Sequence, residues 1–245
     1  MLFRSKIVKA IIIILFIWFY ALLTGLSPAV LRSAAMLSFI VIGRMKRYPA
    51  NMYNILAASA LFLLCLNPYL IMQVGFQLSY MAVLGIVFLY GRISMWYNAP
   101  NLFLKKTWDI ISVSIAAQTT VFPLGLLYFH QFPNYFLLSN LAIIPLSSLI
   151  IYTGILLLFS APVAPLAKVI GAILGTMVHF LNKIVLWIEQ LPYSVMKGIS
   201  ITVPETWLIY ILIFCFVLYL THKERWLLFA SFSCAIMLLG LQIVE

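Results

Sequence analysis

The chain has 245 residues, of which 65% are hydrophobic and 8% charged, and its mean hydropathy is +1.15. Soluble domains carry about 25% charged residues, and a soluble helical protein needs a polar face on each helix, so a water-soluble globule is excluded. The net charge of +10 would point to nucleic acid in a soluble protein, but membrane proteins hold excess Lys and Arg in their cytoplasmic loops, so charge alone identifies no DNA partner.

The fold class that follows is an all-α, polytopic transmembrane helical bundle. A crossing helix needs about 20 apolar residues. Nine candidate spans are predicted: 10–26, 29–43, 50–66, 74–91, 110–129, 135–159, 166–188, 207–221 and 226–243. The second and eighth are short, so some segments are expected to be partial or re-entrant. The first follows Arg4, Lys6 and Lys9 as a signal peptide would, but no small-x-small cleavage site follows it, and a first membrane helix is the better reading.

With the N-terminus in the cytoplasm, the inside segments hold Arg4, Lys6, Lys9, Arg44, Lys46, Arg47, Arg92, Lys105, Lys106, Lys223 and Arg225; the outside segments hold only Lys197. This asymmetry predicts a cytoplasmic N-terminus and, after nine spans, an extracytoplasmic C-terminus. Arg92–Trp108 becomes the longest inside loop, rich in aromatic and basic residues and expected to lie on the headgroups. Leu191–Thr206 becomes the longest outside loop and has no helical period. Cys65, Cys215 and Cys234 fall inside apolar runs and read as small buried hydrophobes.

Between the first two spans lies TGLSPAVLRSAAM, Thr24–Met36. Ser27-Pro28 is a helix start, with Ser as N-cap and Pro in the first turn. Arg32 then lies about 4.5 Å into the second span. It is either an anchor that snorkels to the headgroups or a cation at the mouth of a wet path, where it would attract a phosphate.

In the next stretch, NPYLIMQVGFQLSYMAVLGI (67–86), Asn67-Pro68 breaks the chain. Gln73 and Gln77 are spaced to share a helix face, where they would bond neighbouring helices or face a pore. Gly75 and Ser79 form a small-residue stripe that suits close helix packing. Pro123 and Pro145 fall inside the fifth and sixth spans and should kink them.

The seventh span repeats the packing signal with Gly171 and Gly175. It also carries His179 and Lys183 on one face, with Asn182 adjacent. Intramembrane ionisable groups usually face a cavity or a partner; here the partner would be Asp109 or a backbone carbonyl. Paired carboxylates, a His-rich metal motif, a phosphate loop and a nucleophile elbow are all missing from the sequence, so neither an enzyme nor a metal or cofactor site is expected.

The stretches 24–36 and 67–86, together with SNLAIIPLSSLI (139–150), resemble the membrane "competence" domain of the ComEC proteins in order and spacing. The resemblance covers about residues 20–160, and the remainder fits by hydropathy. It implies a multi-pass channel component in the bacterial inner membrane for uptake of single-stranded DNA in natural transformation. Arg32, Gln73, Gln77, His179 and Lys183 are then the candidates for the DNA path.

Larger members of that family carry an OB-like domain, a membrane segment with an SGLH-like motif and a metallo-β-lactamase-like nuclease domain, none of which this sequence contains. Residues 1–245 would thus form a single transmembrane domain without a soluble domain, corresponding to the C-terminal part of the channel domain in a fragment, a split gene or a reduced paralogue. Its expected partners are single-stranded DNA, the lipid bilayer and other DNA-uptake proteins that supply those parts; a homo-oligomer is compatible with this reading. The competing readings are a small-solute or lipid-linked transporter and a structural membrane subunit.

Overall fold

The computed structural model describes residues 2–45, 51–98 and 100–244; Lys46 and Arg47, which enter the charge asymmetry, lie outside the described residues. The chain is an all-α polytopic membrane protein. Nine α-helices form among the described residues: α1 (Leu2–Leu23), α2 (Pro28–Met45), α3 (Met52–Leu66), α4 (Val74–Ser94), α5 (Leu102–Phe129), α6 (Phe136–Ser160), α7 (Ala164–Glu189), α8 (Val203–His222) and α9 (Arg225–Val244). Each predicted span lies on one of them.

Among the described residues, five helices, α4 to α8, are long and apolar enough to cross a bilayer, and Ile7–Leu23, Met52–Leu66 and Arg225–Met237 are shorter apolar stretches. The 15 residues of α3 rise only about 22 Å against a hydrocarbon core of about 30 Å. The eighth segment, expected to be short, is a long span, because its helix begins four residues before the predicted start.

Contacts divide the chain into two compact units, Met1–Leu89 and Tyr90–Glu245. In the first, α1 packs on α2 and α2 on α3. Small side chains permit this: Ala21, Ala34 and Ala35 are buried, and Ser38, also buried, accepts the Trp18 indole N–H at 3.2 Å. The interior cluster is Ala35, Leu63, Leu70 and Phe76. Lipid tails are as apolar as leucine, so close packing and hydrogen bonds rather than hydrophobic transfer hold such helices together.

In the second unit α5 packs on α6 and α8, α6 on α7, and α8 on α9. Its interior is polar along α5, where Ser112, Ser114 and Thr120 are buried. Asn140 donates to the Ser114 hydroxyl at 3.1 Å, and the Tyr210 hydroxyl donates to the Thr120 carbonyl at 2.9 Å. Pro123 and Pro145 lie inside α5 and α6, as the sequence predicts.

Two expectations about the connections change. The predicted loop Arg92–Trp108 is mostly helical: α4 runs to Ser94 and α5 starts at Leu102. The Tyr90 hydroxyl donates to Asp109 at 3.1 Å and the Trp108 indole to the Ser94 carbonyl at 3.1 Å, which ties the two helix ends together. The predicted loop Leu191–Thr206 contains a strand, β2 (Val195–Lys197), paired antiparallel with β1 (Gln131–Pro133). Asn134 and Tyr135 secure this ribbon by donating to the carbonyls of Tyr193 (2.7 Å) and Pro192 (3.1 Å). Of the three free cysteines, Cys65 is exposed and the other two half-buried, so the reading of all three as buried fails for Cys65.

Candidate functional site

The connection from α1 to α2 sets the position of Arg32. Gly25 takes a left-handed φ of 71° and Leu26 one of 53°. The Leu26 N–H reaches the Ala21 carbonyl at 2.9 Å and the Gly25 N–H the Leu22 carbonyl at 3.0 Å. That pair of bonds is the Schellman stop, in which glycine at the left-handed position avoids the cost of a Cβ. The chain re-enters a helix at Pro28, and the Leu31 N–H closes the first turn on the Ser27 carbonyl at 2.9 Å. Arg32 follows one turn later, on the partly buried side of α2 next to Ala35.

A second turn brings its counterpart. Asn67 ends α3 and its side chain accepts the Tyr69 N–H at 3.1 Å, which starts a 3₁₀ turn over Pro68–Met72. That turn folds Leu70 back into the cluster with Leu63 and Phe76. It thereby presents the first turn of α4 to Arg32. A Cβ built on Gly75 would stand 3.4 Å from Arg32 Nη2, 3.5 Å from Nη1 and 3.7 Å from Cζ. Gly75 is the seat of the guanidinium. The nearest atoms to Gly75, predicted to pack a helix against a helix, are those of the Arg32 side chain of α2.

The Arg32 Nε is buried and has no hydrogen-bond partner among the described residues. Tyr80 packs on Phe76 with ring centroids 4.5 Å apart and donates to the Ser59 hydroxyl at 3.2 Å. Ser59 is fully buried, and its own hydroxyl donates to the Leu56 carbonyl at 2.9 Å. An open groove of about 280 Å³ between α3 and α4 runs past Tyr80, lined mainly by apolar side chains such as Leu56, Ala60 and Leu84.

The family model for the competence protein matches residues 1–226. The chain belongs to this family. It is similar to the ComE operon protein 3 of Bacillus subtilis (strain 168), 28% identical over 145 residues that make up 59% of this chain and 18% of that protein. The competence chain thus spans under a fifth of the relative's length. No solved structure matches it.

The other candidate residues of this competence protein lie apart from Arg32 in different ways. Gln73 is extended, at φ −74° and ψ 122°, and closes the 3₁₀ turn just before α4. Gln73 and Gln77 therefore do not share a helix face. The Gln77 amide donates back to the Ile71 carbonyl at 2.9 Å and helps fix the turn. Ser79 uses its hydroxyl on the Phe76 carbonyl of its own helix at 3.0 Å.

His179 and Lys183 belong to the second unit and are exposed on α7. Asp109, proposed as their partner, is instead bonded by Tyr90. A Cβ on Gly171 would meet Leu157 of α6 at 3.8 Å, an ordinary contact, whereas one on Gly175 would meet open space. Among the described residues, no such atom stands within 4 Å of that Gly175 position.

Sequence reasoning missed Tyr80 and Ser59 as neighbours of the site. A serine in the apolar run of α3 and a tyrosine one turn after Phe76 were the available signals.

Proposed function

We propose that this chain forms part of a path through the bacterial inner membrane by which one DNA strand enters the cell, and that Arg32 is a phosphate contact on that path. The carrying observation is the Arg32 guanidinium seated on Gly75, with a buried Nε left unpartnered among the described residues. A residue that only snorkels extends to the headgroups; this one is turned onto the first turn of α4. A helix N-terminus carries partial positive charge and repels a cation. An anion beside both would be attracted by the helix end and by the guanidinium together. Phosphate fits that chemistry, and membership in the competence family supports a strand of DNA as its source.

Deletion of the gene from a naturally competent host is expected to lower transformation by external DNA. Transformation at the parental level, with growth lost on some solute, would replace this reading with that of a transporter.

The orientation follows the placement of Lys and Arg. A periplasm-active reporter fused after Glu245 is expected to be active, and one fused within Arg92–Trp108 silent. The reverse pattern would invert the topology and put Arg32 at the wrong face.

A further inference from the structure

Helix α7 is two-faced in the opposite sense from a helix of a soluble protein. At 100° per residue, Ile170, Met177, Leu181, Ile184 and Ile188 lie on one side, and all are buried or half-buried. This side meets α6, where Leu157 approaches Gly171 and Thr153 approaches Met177. The opposite side carries Lys168, Thr176, His179, Asn182 and Lys183, and all five are exposed. Among the described residues, neither His179 nor Lys183 has a hydrogen-bond or ionic partner. The stripe runs roughly 22 Å along the axis, from Lys168 to Lys183, within a hydrocarbon layer of about 30 Å.

Lipid is disfavoured as what covers this stripe. The two lysines could snorkel to opposite surfaces, and Thr176 donates to the Ala172 carbonyl of its own helix at 2.9 Å, but His179 and Asn182 have no hydrogen-bond partner among the described residues and no such reach. A second copy of the chain is disfavoured as well. Symmetric pairing through this face would set Lys183 against Lys183 and His179 against His179, and such repulsion is strong in a low dielectric. No carboxylate interrupts the stripe between Lys168 and Lys183. Its charge is complementary to a polyanion, and its hydrogen-bonding groups suit an occupant that remains partly hydrated.

We infer that the Lys168–Lys183 face of α7 lines a water-filled path and contacts the phosphates of the DNA strand, a second basic element distinct from Arg32. This inference rests on the proposed function for the identity of the polyanion; the presence of water along the face stands independently of it.

The test replaces Cys65, Cys215 and Cys234 by alanine and introduces single cysteines into the full chain in membranes. Thr176→Cys, His179→Cys and Asn182→Cys probe the stripe; Val169→Cys, Ile173→Cys and Phe180→Cys are controls on the flank of α7, exposed as the stripe residues are. A membrane-impermeant thiol reagent is expected to label the first three and spare the controls, and an added single-stranded oligonucleotide to suppress that labelling. In nanodiscs, Lys168→Gln and Lys183→Gln should each reduce the salt slope of oligonucleotide binding by about 0.7, the single-strand value per phosphate, while lysine-to-arginine variants keep it.

Unlabelled stripe cysteines would mean that lipid or a protein helix covers the face, and would overturn the inference. Labelling without suppression by oligonucleotide, or unchanged salt slopes, would overturn the strand contact. If deletion of the gene nevertheless lowers transformation in either case, the proposed function survives and only the assignment of α7 falls; normal transformation on deletion removes the proposed function itself.

Discussion

Arg32→Gln is expected to lower strand uptake roughly ten- to a hundredfold at normal membrane abundance, because a hydrogen bond to a charged group contributes about 1.5–3 kcal/mol and each 1.4 kcal/mol is tenfold. Arg32→Lys keeps the charge but loses the forked geometry that matches phosphate, so it should fall between the parent and Arg32→Gln. The seat gives an independent check. Gly75 leaves the guanidinium only 3.4 Å from where a Cβ would be. Gly75→Leu would push it off the first turn of α4 and should reproduce the defect of Arg32→Gln. The two substitutions combined should then be no worse than either alone, since residues that act through one contact do not add. Immunoblots of the membrane fraction separate lost function from lost insertion. Parental uptake by Arg32→Gln at parental abundance would make Arg32 a snorkelling anchor and nothing more.

The positions of the helices were readable because the membrane imposes one dominant rule: backbone groups in hydrocarbon must be bonded within the segment. Apolar runs therefore became helices, and Ser27-Pro28 marked a start that the structure keeps, whereas the stop at Gly25 falls inside the predicted span 10–26. What failed were features set by charge at helix ends or by contacts distant in sequence. Lys105, Lys106 and Asp109 broke the apolar count and hid the start of α5, although they are compatible with helix. The 3₁₀ turn at Pro68–Met72 moved Gln73 out of α4 and cancelled a spacing that would hold only in a continuous helix. The β1–β2 ribbon joins segments about 60 residues apart and has only three residues per strand, too few for a pattern.

Within the candidate site, Arg32 and Gly75 were both singled out, but for unrelated reasons. Their meeting depends on two successive turns, and neither turn alone carries it. On α7 the grouping of His179, Asn182 and Lys183 was readable. That Lys168 and Thr176 continue it, and that the whole stripe faces away from α6, required the packed structure.

Glu205→Ala is expected to destabilise the second unit by about 1–2 kcal/mol, the usual cost of a lost helix cap. Glu205 is only 2% exposed, yet it is an acidic residue in a chain with five. Its Oε2 accepts the Thr202 N–H at 2.6 Å and the Thr202 hydroxyl at 2.9 Å. The Thr202 carbonyl in turn accepts the Thr206 N–H at 3.0 Å. Pro204 needs no acceptor in this first turn, and the carboxylate lies at the helix end that favours negative charge. Alanine would take the acceptor from both Thr202 donors and leave a gap where the buried Glu205 side chain stood. Glutamine retains an acceptor oxygen but not the charge, so Glu205→Gln should cost less than Glu205→Ala. The effect should extend to Tyr210, one turn further on, whose hydroxyl holds α8 to the Thr120 carbonyl of α5. Denaturant unfolding in detergent micelles and amide exchange over Thr202–Thr206 report both parts. An unchanged midpoint for Glu205→Ala, with parental exchange, would show that the helix start is held by packing around Ile201 and Thr206 rather than by the carboxylate.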